Sequence, residues 1–175
     1  MSVNLYPIFT QTVGSGGAST ITFNNIPQTY TDLMVEFSAR DTSANTSVGI
    51  YIRLNNDTTS GDYSQTNIQG SGTGVGSNHN NTDTAINIGT VPAASATSNT
   101  FGNGRFYIPN YTSSNQKSVI CDIVGENNSS TAYADLRAGL YHPTSAITRI
   151  DFMPPVSGYA QYSTFSIYGI LRQGV

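Results

Sequence analysis

The sequence predicts an all-β protein, an antiparallel β-sandwich that is jelly-roll-like, with about ten strands and no long helix. Three observations support this. Short stretches with apolar residues at every second position recur along the chain. Clusters of Gly, Asn, Asp, Ser and Pro separate these stretches. No stretch longer than one turn favours a helix. At 175 residues the chain is most simply a single β-sandwich domain, 1–175.

Residues 21–40 carry the clearest signal. Ile21 and Phe23 mark the end of one strand, and Pro27 fixes a corner because it locks its own φ and lacks an N–H. Residues 32–40 then form a second strand. Its inward face is predicted to hold Leu33, Val35, Phe37 and Ala39. A strand, a proline corner and another strand suit a chain that crosses from one sheet of a sandwich to the other.

The remaining stretches are taken in chain order. Pro7 cannot donate to a ladder, so residues 1–13 are a possible N-terminal arm or edge strand. That segment could pair with 19–23 as a hairpin or exchange between subunits. Glycine-rich residues 68–81 are expected to form a long surface loop. Further strands are predicted at 48–55, 84–90, 101–109, 118–125, 131–141, 146–153 and 163–171.

Two of these strands make specific predictions about their faces. Residues 118–125 are apolar on both faces except for Asp122, which indicates a central strand or one covered by a neighbouring subunit. In 131–141 the alternation predicts alanines and leucines inside. The inward set is Ala132, Ala134, Leu136, Ala138 and Leu140, and the outward set is Tyr133, Asp135, Arg137 and Tyr141.

Composition excludes several function classes. Only 10% of residues are charged and the net charge is −3, which argues against nucleic acid as a partner because a phosphate-binding surface needs clustered Lys and Arg. Cys121 is the single cysteine, so it is interpreted as a small core residue without a disulfide. No signal peptide and no apolar run of membrane-spanning length is found, so we expect synthesis in a cytoplasm and no membrane partner.

No constellation typical of catalysis or of a bound cofactor stands out. His79 and His142 lack a second ligand at metal-binding spacing, and Glu36 and Glu126 are the only glutamates. The Asn and Asp clusters at 55–62 and 80–83 are better explained as turns than as a Ca²⁺ site. We therefore expect a protein that is not an enzyme and needs no cofactor or metal.

Aromatic side chains are the strongest candidates for a binding surface, because Tyr is enriched at protein interfaces and can stack on sugar rings. Interface and core roles are equally compatible with the sequence. The candidate interface residues are Tyr6, Phe9, Tyr51, Tyr133, Tyr141, Tyr159 and Tyr162.

Several segments together resemble structural proteins of tailed-bacteriophage virions. They are the run FNNIPQTYTDL at 23–33, NND at 55–57 followed by DYS at 62–64, IPNY at 108–111, and YGI at 168–170. The resemblance implies a jelly-roll-like protein of the capsid or the tail, present as a homotrimer and bound to the major capsid protein or other virion proteins. It carries over no functional residues.

Two roles fit this resemblance. A single small domain without a repetitive shaft favours a capsid decoration, or cement, protein that binds between major capsid subunits and stabilises the shell. The alternative is a tail or fibre module that binds a host-surface glycan or another tail protein. Charge-poor loops rich in Asn, Ser and Thr suit the alternative.

Overall fold

Twelve β-strands in two antiparallel sheets make up the regular structure of residues 4–72, 74–125, 132–154 and 157–171, the parts of the chain that the computed structural model describes. The prediction of an all-β sandwich is confirmed. In chain order the strands are β1 Asn4–Thr12, β2 Ile21–Phe23, β3 Asp32–Ala39, β4 Ser47–Leu54, β5 Tyr63–Ser71, β6 Gly74–Asp83, β7 Ile86–Pro92, β8 Gly102–Ile108, β9 Lys117–Gly125, β10 Tyr133–Tyr141, β11 Ile150–Met153 and β12 Thr164–Leu171. Within the described ranges, no helix is long and apolar enough to cross a membrane.

The strand order is that of a jelly roll with two inserted hairpins. One sheet runs β2-β11-β4-β7, and half of the other runs β1-β12-β3-β8, so the chain passes repeatedly between two four-stranded layers. The chain first crosses between β1 and β2, and the proline corner makes the second crossing, from β2 to β3, as the sequence predicts. The hairpins β9–β10 and β5–β6 then extend the larger sheet to eight strands, β1-β12-β3-β8-β9-β10-β5-β6. This sheet therefore continues past the width of its partner.

The core lies between the two sheets and is built from alternate residues of each strand. The inward residues predicted for β3, namely Leu33, Val35, Phe37 and Ala39, are all buried, and so are the alternate residues Val48, Ile50, Ile52 and Leu54 of β4. Phe152 lies at the centre of an aromatic cluster, with its ring centroid 4.8 Å from that of Phe165 and 5.8 Å from that of Phe106. Large rings in varied orientations fill the space between the layers without a helix.

Glycine is required at one position of β12 where a side chain from the connection between β2 and β3 packs closely on the sheet. Gly169 in β12 lies directly beneath the ring of Tyr30, so a Cβ at this position would overlap that ring. Tyr30 in turn stacks on Tyr6 of β1, with ring centroids 5.8 Å apart. β1 is therefore held on the sheet by this ring stacking as well as by its backbone pairing with β12.

Two predictions about connections are wrong. Residues 68–81 do not form a long loop, because β5 and β6 pair as antiparallel strands from Tyr63 opposite Asp83 to Ser71 opposite Gly74, with one register shift between Tyr63 and Gln65. The proposed hairpin between 3–13 and 19–23 does not form either. β1 pairs with β12 at the edge of one sheet, and β2 pairs with β11 in the other.

The predicted orientation of β10 is also wrong. Asp135, Arg137 and Tyr141 are buried, whereas Leu136 is 52% exposed. Tyr141 in this orientation packs its ring 5.0 Å from that of Tyr63, between centroids. The core therefore gains a large aromatic side chain. Asp135 and Arg137 are accommodated there as an ion pair at 3.3 Å, which reduces the cost of burying each charge.

Candidate functional site

The outer face of the eight-stranded sheet presents side chains in straight cross-strand rows. The central row crosses six strands, since each member lies directly opposite the next. Its members are Ser166, Glu36, Arg105, Asp122, Leu136 and Ile68. Neighbouring rows pair Val124 with Ala134 and Ile120 with Ala138. Residues that are directly opposite on one face of a sheet are in contact range, so these rows form one continuous surface.

An apolar patch lies on this face towards the β6 edge of the sheet, and we call it the outer patch. It consists of Ile68, Ile120, Val124 and Leu136, which are 59%, 53%, 51% and 52% exposed. The four side chains come from the adjacent strands β9, β10 and β5, so they are contiguous. Ala134 and Ala138 of β10 lie opposite Val124 and Ile120, and their short side chains leave the patch flat. Contiguous exposed apolar surface is typical of interaction sites on otherwise polar proteins.

A row of charged residues runs into the outer patch and ends at Asp122, which lies on β9 between Ile120 and Val124 and directly opposite Leu136. Glu36, Arg105 and Asp122 lie side by side on β3, β8 and β9. Arg105 Nε donates to both Asp122 carboxylate oxygens, at 2.9 and 3.1 Å. That hydrogen bond raises the pKa of the Arg105 guanidinium above its ordinary value. Because both side chains are more than half exposed, the pair adds little to folding stability and is available to orient a partner.

A shallow open groove of about 610 Å³ runs over this part of the sheet. Its walls include Glu36 and Arg105 on one side and Val124, Leu136 and Ile68 on the other. The groove thus combines an apolar floor with a charged edge. A flat, open shape of this kind suits a protein surface better than a small molecule, which needs enclosure on most sides.

Five of the candidate interface residues are at least partly accessible. Tyr6 and Tyr162 are exposed, by 37% and 66%, while Phe9, Tyr51 and Tyr133 are half-buried. Tyr162 also has a positive φ of 72°, in the turn before β12. These five residues are scattered over both sheets and do not form one surface with the outer patch.

Tyr141 and Tyr159 are not surface residues, so the expectation that both point outward is wrong. Tyr141 is 2% exposed, and its hydroxyl donates to Asp57 Oδ2 at 3.0 Å. Tyr159 is fully buried, with its ring 4.8 Å from that of Phe165. Burial raises the pKa of both phenols well above the ordinary value. Both are core residues.

The polar clusters act as turn structure. Asn55 and Asn56 both have positive φ values, of 54° and 56°, and Asn55 Oδ1 accepts from Thr148 N at 2.9 Å. Burial works against ionisation of Asp57, but hydrogen bonds from Thr59 and Tyr141 outweigh this and lower its pKa. In the described ranges no group of three His, Cys, Asp or Glu side chains could hold a metal ion.

The other single residues are placed as follows. His79 lies exposed in β6, and His142 follows β10 with its Nε2 3.3 Å from Ser64 Oγ. Glu36 is exposed on the outer face of β3, and Glu126 lies outside the described residues. Cys121 is buried, as predicted, and burial raises the pKa of its thiol far above the ordinary value.

Comparison with known proteins gives no family assignment: no protein-family model matches the chain, and neither does any curated protein. Sequence reasoning found Ile120 and Val124 through the two-sided apolar pattern of 118–125. It missed Ile68, which fell in a predicted loop, and Leu136, which was assigned to the core.

Proposed function

We propose that the chain is a structural protein that binds another protein surface through the outer patch, and that it acts as a capsid decoration protein of a tailed bacteriophage. The observation that supports binding is the contiguous exposed patch of Ile68, Ile120, Val124 and Leu136 on three adjacent strands of the wide sheet. The resemblance of residues 23–33 and the other segments to phage virion proteins supports the particular assembly. In this role the protein is made in a host cytoplasm and resides in the virion.

The surroundings of the outer patch favour a stable but modest interface. Thr66, Ser77 and Ser118 at neighbouring outer positions are uncharged, so at those positions little charge must be desolvated when a partner covers the face. The row of Glu36, Arg105 and Asp122 supplies the exception. Rim charges of this type fix the orientation of a partner more than they add affinity. Repeated over many copies, one such interface would strengthen a shell.

A homotrimer is part of this proposal, with the outer patch left for the shell. Exposed aromatic residues away from the patch, chiefly Tyr6 and Tyr162, are available for contacts between copies. Analytical ultracentrifugation of the purified protein should give a mass three times the 18.6 kDa of the chain. If the purified protein is a monomer at high concentration but a trimer on the particle, then trimers form only when the protein assembles onto the shell.

The docking test uses one substitution on the outer patch and one matched control. Leu136→Glu places a charge in the centre of the patch at a position that is already exposed, so the fold should be retained. Thr58→Glu adds the same charge to an exposed loop between β4 and β5. Stripped particles are mixed with each protein, and bound copies are counted by quantitative mass spectrometry. We expect full occupancy for the control and at least a tenfold loss for Leu136→Glu, since burying an unpaired charge costs several kcal/mol.

Copy number separates decoration from the tail alternative. Hundreds of copies per particle, lost together with resistance of the capsid to heat, are the expected result. A few copies that purify with tails, and a soluble protein that coats host cells, would favour a tail or fibre module instead. The exposed Tyr162 ring is the observation that favours such a module, because exposed rings stack on sugars.

A further inference from the structure

The eight-stranded sheet is wider than the sheet it packs on, and this mismatch creates a polar cleft on its inner side. β7 is the last strand of the smaller sheet, whereas the larger sheet continues past β10 through β5 and β6. The two layers are joined there by a hydrogen bond from the Asn87 backbone N–H to Gln65 Oε1, at 2.6 Å. Beyond this contact the inner faces of β5 and β6 form one wall of a cleft of about 260 Å³.

The lining of the cleft differs from that of the outer groove because it is almost entirely polar. Arg137, Asn67 and Asn78 lie in one cross-strand row on its floor. Asn87 and Tyr51 face them from the smaller sheet, and Asp83 lies at one end. Two of the amides have fixed orientations, since Asn87 Oδ1 accepts from Gly89 N at 3.0 Å and Asn78 Oδ1 accepts from His79 N at 2.8 Å. Their NH₂ groups remain as donors.

Arg137 is the residue whose position needs an explanation. It is 8% exposed, and its Nε–H has no acceptor among the described residues. Its ion pair with Asp135, at 3.3 Å, involves the Nη2 end of the guanidinium only. A buried donor on a charged group is costly to leave unpaired, which sets Arg137 apart from an ordinary core residue. The Nε atom itself is buried, so it is the remaining exposed part of the Arg137 side chain that lines the cleft.

Charge and shape select the class of ligand. Asp135 balances Arg137, and Asp83 adds a further negative charge, so an anion is disfavoured in the cleft. The amides, the guanidinium and the carboxylate offer both donors and acceptors at close spacing. The half-buried Tyr51 adds an aromatic side chain to the wall. The volume is below the roughly 300–1,000 Å³ of sites for drug-sized ligands, which indicates a small ligand.

We propose that this cleft binds one ring of a neutral carbohydrate, with Arg137, Asn67, Asn78 and Asn87 bonding its hydroxyls and Tyr51 packing on its apolar face. This site is distinct from the outer patch, because the patch side chains project from the opposite face of the same sheet. The two sites can therefore be occupied together. The inference does not depend on whether the protein decorates a capsid.

The test is a saturation-transfer NMR titration of the whole protein with glucose, galactose, mannose, rhamnose and N-acetylglucosamine, and separately with acetate and phosphate. We expect at least one neutral sugar to bind with a millimolar dissociation constant. Asn67→Ala and Tyr51→Ala should each weaken that binding about tenfold, as loss of one good contact predicts. Asn103→Ala, an exposed amide on the outer face of β8, should leave it unchanged.

Four results would overturn the assignment. The first two are that no sugar shows saturation transfer, or that acetate or phosphate binds and the sugars do not. The other two are that Asn67→Ala and Tyr51→Ala both leave the sugar affinity unchanged, or that Asn103→Ala weakens it as much as they do. The two cleft variants lie on different sheets, so failure of one to fold leaves the other as the test. The proposed docking through the outer patch is measured on particles and can fail without affecting this result.

Discussion

Replacing Arg137 with methionine tests the unexpected orientation of β10. The Asp135 side chain is 0% exposed and that of Arg137 is 9% exposed, so methionine fills much of the same space but leaves a carboxylate buried without its cation. Gln69 Nε2, at 3.3 Å from Asp135 Oδ2, would be the remaining partner shown for that carboxylate. Breaking a buried pair from one side costs about 3–5 kcal/mol. We expect the free energy of unfolding, measured by urea titration, to fall by that amount.

Two further variants make the result specific. Leu136→Ala, at the neighbouring and 52% exposed position, should change the free energy of unfolding by less than about 0.5 kcal/mol. The double variant Asp135→Asn with Arg137→Met should recover most of the loss, because no charge is then left buried. If Leu136→Ala instead costs about 2–5 kcal/mol, as for a core leucine, and Arg137→Met costs almost nothing, the orientation of β10 described here is wrong.

Three other outcomes can be measured on the same purified protein. Gly169→Ala should lower the free energy of unfolding, measured by urea titration, by about 1–3 kcal/mol because the Tyr30 ring occupies the space of the new Cβ. Gly70→Ala, whose Cβ would meet open space, should be near neutral. Equal effects of the two substitutions would contradict the packing of Tyr30 on Gly169. The Cys121 thiol is buried and its pKa is raised, so it should react with a thiol reagent only at the rate at which the protein unfolds. Rapid labelling of the native protein would count against the core position of Cys121. Phe9→Ala should lower the free energy of unfolding, measured in a thermal or urea assay, by about 1–2 kcal/mol because the stacking of Phe9 on Phe23 and its burial are lost. Thr10→Ala, on the outer face, should not lower it by this amount. If Phe9→Ala has no effect, β1 is not packed on the sandwich.

The parts of the fold that could be predicted are those in which one pattern determines the structure. In β3 and β4 every second residue is large and apolar, so only one orientation buries a core. Pro27 marks the corner between sheets for a local reason that does not depend on the rest of the chain. The two-sided apolar pattern of β9 indicated a central strand or one covered by a neighbouring subunit, and the structure adds that Ile120 and Val124 lie on its exposed face.

The parts that could not be predicted are decided by distant partners. In β10 the alanines and leucines look like the core face, but Tyr141 contributes more buried surface and the charges of Asp135 and Arg137 neutralise each other. Residues 68–81 contain poor strand formers, and their order comes from pairing of β5 with β10 rather than from local propensity. The polar cleft depends on the unequal widths of the two sheets, which no local pattern reports.

The most direct test of the central claim is a cryo-electron microscopy reconstruction of the virion with the protein bound. The account predicts that Ile68, Ile120, Val124 and Leu136 lie against another virion protein, with Arg105 at the edge of that contact. The opposite arrangement, in which the outer face of the eight-stranded sheet points into solvent and the protein is held through other surfaces, would contradict it.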